Sequence, residues 1–214
     1  MKKLHKILLP IFLVTAANHV MAYEIGGTGM FAQGGVEDDN NYSSNNEYDY
    51  TTARLGLLID NPIKSFLNYR LSLGFERNAV STPNGADNLY GLGMTHTFAF
   101  NLFKRPNLRI WMGPQIRAVV YKGDGSRILD ISDNKGVSYG IGPEVGFSYR
   151  VNERLNIGTS LALVSGDLNF DDFTNSTSAN SNSDVDGSTY GGHLSFSVTY
   201  NFDDKQSIFS KNSN

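Results

Sequence analysis

Residues 190–202 read Tyr-Gly-Gly-His-Leu-Ser-Phe-Ser-Val-Thr-Tyr-Asn-Phe, and from Leu194 onward every second residue is large and apolar: Leu194, Phe196, Val198, Tyr200 and Phe202. The residues between them, His193, Ser195, Ser197, Thr199 and Asn201, are polar or small. A period of two belongs to a strand with one greasy and one polar face, because successive side chains of extended backbone point to opposite sides. The apolar set ends in an aromatic pair, as on a strand whose outer face meets lipid and its interface. A sheet in water also alternates, so the rest of the chain has to decide.

The same period recurs seven more times. Ile25, Gly27, Gly29 and Phe31 alternate with Glu24, Gly26, Thr28 and Met30; Ala53, Leu55, Leu57 and Ile59 stand against Thr52, Arg54 and Gly56; then Leu67, Tyr69, Leu71, Leu73 and Phe75 against Asn68, Arg70, Ser72 and Glu76. Tyr90, Leu92, Met94, Phe98, Phe100 and Leu102 form a fourth set; Leu108, Ile110, Met112, Ile116, Ala118 and Val120 a fifth. Tyr139, Ile141, Val145, Phe147 and Tyr149 make the sixth, and Leu155, Ile157, Leu161 and Leu163 the seventh. Between the strands, short turns (Asp60-Asn61-Pro62, Lys104-Arg105-Pro106-Asn107, Asn152-Glu153-Arg154) alternate with longer polar segments at 34–47, 77–88, 122–136 and 166–188. An immunoglobulin-like sandwich does not sort its connections by length in this way. The expected fold is all-β: an eight-stranded antiparallel up-and-down transmembrane barrel with three short periplasmic turns and four longer extracellular loops.

The first residues fix the compartment. Lys2, Lys3 and Lys6 precede an apolar run from Ile7 to Ala16, and Val20-Met21-Ala22 supplies a small residue before the cut, the pattern of a secretory signal peptide. Three segments follow: signal peptide 1–22, barrel 23–202 and a short polar tail 203–214. Removing 1–22 takes away three lysines and no acid, so the formal charge falls from −3 to −6. That balance argues against nucleic acid as a partner. The chain has no cysteine, so an exported fold must hold itself together by a core or by closing its sheet. Its mean hydropathy of −0.29 does not oppose a membrane barrel, since apolar-out and polar-in faces cancel.

With the turns on the periplasmic side, the outward aromatics fall at two levels. Tyr69, Phe100, Phe103, Phe147, Tyr149, Tyr200 and Phe202 lie at the turn end; Phe31, Phe75, Tyr90, Tyr139 and Tyr190 lie at the loop end. Aromatic rings favour the bilayer interface. The inward set carries Arg54, Arg70, Arg109, Arg117 and Arg150 with Glu24, Glu76 and Glu144. Eight strands enclose only enough room for side chains, so these charges are expected to pair and fill the lumen. A proton or ion path through Arg117 and Glu144 is the sharper alternative; an ion-pair network is the plainer one. His96 falls on the outward face, where a histidine snorkels or packs on a neighbour.

These residues together resemble the small eight-stranded outer-membrane barrels of Gram-negative bacteria, the OmpA/OmpX class. The resemblance spans 23–202. It implies outer-membrane lipid and lipopolysaccharide as surroundings, and the barrel-assembly machinery as the reader of Leu194, Phe196, Val198, Tyr200 and Phe202. In that class the terminal aromatic is commonly the last residue; here 203–214 follow it.

Architecture implies location, not activity. The leading expectation is a non-enzymatic barrel with a filled lumen that displays polar loops for adhesion, recognition or envelope integrity. Tyr42, Tyr48, Phe170 and Phe173 are the candidate loop contacts, against packing within loops or extension of the strands above the membrane. A lipid-modifying enzyme is the second reading, resting on His193 and Ser195, which period two puts on one face. That face is the lumen, and no third orienting residue stands out. A narrow small-solute or ion channel is the third. Glu37-Asp38-Asp39 and Asp171-Asp172 lack the spacing of a calcium loop, so no metal is expected, and no cofactor motif is present.

Overall fold

The computed structural model describes residues 24–38, 47–82, 85–123, 135–174 and 182–202. The signal segment, the tail and Tyr42 lie outside these residues. Eight strands follow one another: β1 (Glu24–Asp38), β2 (Glu47–Lys64), β3 (Leu67–Thr82), β4 (Gly85–Lys104), β5 (Leu108–Gly123), β6 (Lys135–Arg150), β7 (Leu155–Thr174) and β8 (Asn182–Asn201). Each pairs antiparallel with the next, and β8 pairs with β1, so the sheet closes and leaves no edge.

The stagger of that closure sets the geometry. Paired residues followed once around from Thr28, through Gly56, Gly74, Gly93, Val119, Ser138, Leu168 and Gly187, return to β1 at Asp38, ten residues on. At about 3.3 Å per residue and about 4.8 Å between strands, this tilts the strands by about 41° from the barrel axis. Each step from one strand to the next along a paired row then climbs about 3 Å towards the loop end.

Leu55 and Phe75 are 76% and 78% exposed, the mark of an outer face with no protein over it. On both β6 and β8 the two outward tyrosines, Tyr149 and Tyr139 or Tyr200 and Tyr190, stand ten residues apart. That separation is about 33 Å along a strand and about 25 Å along the axis, the height of a lipid-facing band.

The strands outrun that band. The segment 77–88, expected as a loop, is the end of one strand and the start of the next, paired up to Thr82↔Gly85. Most of 166–188 is likewise strand, with β7 reaching Thr174 and β8 starting at Asn182. Tyr48, Phe170 and Phe173 therefore belong to strand ends rather than to free loops, opposite Val36, Val185 and Ser183 respectively. Asp60, expected in a turn, is a strand residue facing the lumen, because the alternation of Arg54, Gly56 and Leu58 continues through it. The turn itself is at Ser65 and Phe66.

Candidate functional site

The lumen is filled in four layers. Nearest the turns, Asp60 accepts hydrogen bonds from Arg109 Nη2 at 2.6 Å and Asn68 Nδ2 at 3.0 Å, and Arg70 Nε sits 3.2 Å away. Arg109 also donates to Ser148 Oγ at 3.2 Å, and Arg70 lies 4.2 Å from the centre of the buried Trp111 ring. Glu24 accepts from Thr199 Oγ1 at 3.0 Å beside them. One carboxylate shared by two guanidiniums and an amide is a fully buried cluster, strong only while every member is present.

Above this layer is a polar chamber of about 40 Å³, lined by Thr28, Ser72, Thr95, Gln115, Ser195 and Ser197 among others. Its size suits about three water molecules. Glu144 stands at its wall, accepting from Thr97 Oγ1 and Ser160 Oγ, each at 2.6 Å.

The third layer is charged again. Arg117 Nη2 donates to both oxygens of Glu76 at 2.7 Å, and Tyr121 Oη donates to Glu76 Oε1 at 2.6 Å. Arg54 takes no carboxylate: Nη1 donates to Thr95 Oγ1 at 2.9 Å, and Nη2 to the Ser72 hydroxyl and carbonyl and to the Gly93 carbonyl at 2.8 to 3.0 Å. Arg117 and Glu144, the residues considered as a proton path, thus have separate partners. Arg150 is only half buried, at the turn end.

A fourth layer, apolar, closes the loop end. Val36, Tyr50, Val80, Leu89, Val119, Tyr121 and Leu168 form one buried cluster inside the barrel. Sequence reasoning missed it, as it missed Asp60. Towards the loop end the pattern inverts: Val80 and Leu89 point in while Arg77 and Lys122 point out. A polar exterior with an apolar interior is what a strand needs once it has left the lipid.

His193 is 3% exposed and faces the lumen between β1 and β7, opposite Ala32 and Ala162. Ser195 lines the chamber one step below it on the same face. The reading in which this pair acts on lipid is thus placed on the wrong side of the wall. Leu194, Phe196, Val198, Tyr200 and Phe202 face outward along β8. His96 is on the outer face, as the alternation requires, yet only 4% exposed: its Nδ1 meets the hydroxyl of Tyr69 on the neighbouring strand. Among the described residues no group of three His, Asp or Glu is placed to hold a metal ion.

The outer wall has one notch. Pro114 and Pro143 face each other in register between β5 and β6. Neither ring offers an N–H, so the ladders on either side skip: β4 and β5 have no pairs between Thr97↔Gln115 and Phe100↔Met112, and β6 and β7 none between Ile141↔Ser165 and Glu144↔Ala162. Gly113 and Gly142 let the Phe98 and Leu163 carbonyls approach where a side chain would collide. The result is a wholly apolar groove of about 480 Å³, lined by Phe100, Leu102, Met112, Ile141 and the two prolines.

No protein-family model matches the chain, and no curated protein matches it in sequence. Solved structures do match in shape. The outer membrane protein OprG from Pseudomonas aeruginosa has a TM-score of 0.57 at 13% identity, over 85% of this chain and 96% of that one. Neisserial surface protein A has a TM-score of 0.49 at 16% identity, over 83% and 97%. Ail, the attachment invasion locus protein of Yersinia pestis, has 0.41 at 11%, over 85% and 100%. With its strand order, closure and lipid-type outer face, the chain has the eight-stranded barrel fold of outer-membrane proteins.

Proposed function

We propose that the protein is a non-enzymatic, non-conducting barrel of the bacterial outer membrane that presents its hairpin tips to the outside for adhesion, recognition or envelope integrity. One observation carries this reading: among the described residues two charged layers and an apolar layer lie across the lumen, with a chamber of about 40 Å³ between the charged ones. A solute path needs a continuous wet column, and the apolar layer interrupts it. The inward placement of His193 and Ser195 speaks against lipid chemistry at that pair.

On the same reading residues 1–22 are cleaved on export, and the apolar face of β8 engages the barrel-assembly machinery before it meets lipid. Tyr42, Tyr48, Phe170 and Phe173 sit in or beside the tips and are the contacts to test. The refolded protein in planar bilayers should give no steady conductance; an open, steady single-channel current would defeat the plugged lumen. Deleting each tip in turn should identify one whose loss weakens attachment of whole cells to a surface or a serum component while the barrel still folds. If a catalytic change in envelope lipid appeared on expression and vanished with Ser195→Ala, the non-enzymatic reading would be wrong.

A further inference from the structure

The chamber between the charged layers has an uneven balance of charge. Every strand residue at its depth is among the described ones, side chain included. Asp60 neutralises Arg109 at 2.6 Å, Glu76 neutralises Arg117 at 2.7 Å, and Glu24 stands near Arg150 at the turn end. That leaves two guanidiniums in the chamber wall, Arg54 and Arg70, with one carboxylate, Glu144. Both arginines are deeply buried, at 3% and 8% exposure. Arg70 reaches Asp60 only through Nε, and its Cζ lies 4.2 Å from the centre of the Trp111 ring, which holds the guanidinium in place. Among the described residues neither Nη nitrogen of Arg70 meets an acceptor. Among the same residues Arg54 has an unpartnered Nε and no carboxylate within ion-pair distance.

We infer that the chamber binds one small monovalent anion of halide size, held between Arg70 and Arg54 with the Ser195 and Ser197 hydroxyls turned to donate. Charge selects it over plain water. A chamber filled by water alone keeps one positive charge in its wall without a counter-ion, and an uncompensated buried charge is costly. The open Nη nitrogens are donors only, so they give an anion charge-assisted hydrogen bonds and offer a cation nothing. Glu144 lowers the excess to one charge without blocking the site, because each of its oxygens already accepts a hydroxyl proton, from Thr97 and from Ser160. Size narrows the class further. A chamber of about 40 Å³ admits one halide ion with a water or two, and it is too small for phosphate, sulfate or a carboxylate.

The test uses the full barrel refolded from urea into a zwitterionic detergent. Sodium gluconate, whose anion is too large for the chamber, is replaced stepwise by sodium bromide or chloride at constant ionic strength. The urea midpoint of wild type should rise with halide and follow the linkage law for one site that only the folded barrel possesses. Crystals grown from bromide should show one anomalous peak in the chamber, within hydrogen-bonding reach of Arg70 Nη. Ser195→Val leaves every charge in place but trades a chamber hydroxyl for methyl groups, and it should weaken the halide affinity drawn from the midpoints by about ten-fold or more. Glu144→Gln removes the like charge from the wall and should tighten it by about five-fold. A midpoint that climbs equally in wild type and Ser195→Val is a general salt effect and overturns the inference. So does a chamber that holds water only in bromide-grown crystals, or a Glu144→Gln variant that folds and binds halide no more tightly than wild type.

Discussion

Arg117 spans the lumen to place one Nη nitrogen on both carboxylate oxygens of Glu76, 2.7 Å from each, and the Tyr121 hydroxyl completes the carboxylate's shell. The pair joins β5 to β3 across the interior, so it ties together strands that share no ladder. Replacing Glu76 by Gln should cost about 3–5 kcal/mol, since Arg117 would stay buried without its counter-charge. Urea titration of the refolded protein in detergent, followed by the fluorescence of Trp111, measures this. Glu76→Leu combined with Arg117→Met should recover most of the loss, because two apolar groups leave no charge stranded. A Glu76→Gln variant as stable as wild type would remove the pair from the account of stability.

The apolar layer at the loop end makes a separate prediction. Leu89 and Val119 are both about fully buried in it, at 1% exposure each. Replacing them together by Ser should let water into the layer and raise the ion leak of the refolded protein in planar bilayers, whereas replacing Leu89 by Met should not. Unchanged silence from the double serine variant would mean that the charged layers alone close the lumen.

On the outer wall, the Tyr69 to His96 contact pairs two polar side chains on the outward face. Tyr69→Phe removes the phenol's hydrogen bond and should cost about 1–3 kcal/mol, the penalty for a buried polar group losing a partner. Tyr69→Phe with His96→Leu should be close to neutral by comparison. Equal urea midpoints for Tyr69→Phe and wild type would show that the contact contributes nothing.

The proline notch predicts a gain. Pro114→Val restores an N–H on the edge of β5 that faces β4, where the ladder skips. One added ladder bond is worth about 0.5–1.5 kcal/mol, and hydrogen exchange at the new backbone amide of position 114 should show protection. A fast-exchanging amide with a lowered urea midpoint would mean the carbonyls cannot return to register.

Facing was legible from period two alone along the middle of each strand, because there apolar-out and polar-in coincide with the strand's two sides. That is why Arg54, Arg70, Arg109, Arg117, Glu76 and Glu144 could be assigned inward from the chain. Residues 77–88 defeated the same rule because the apolar side switches there: Val80, like Leu89 just beyond, turns inward while Arg77 turns outward, and a template sought in one sense reads the other as loop. Asp60 was lost to local turn chemistry, since Asp-Asn-Pro is a strong turn signal and only the register with Arg70 shows that the strand runs through it. Which arginine meets which acid was not legible either. Arg117 finds Glu76 rather than Glu144 because of a ten-residue stagger that no single strand carries.

The strands that continue past the upper aromatic level form a collar at the loop end of the barrel. On β8, the eight steps from Asn182 to Tyr190 climb about 20 Å at the barrel's tilt, around the apolar layer inside. The backbone of these strand extensions is held by ladder hydrogen bonds, so the entropy that a loop of the same length would keep is spent here at folding.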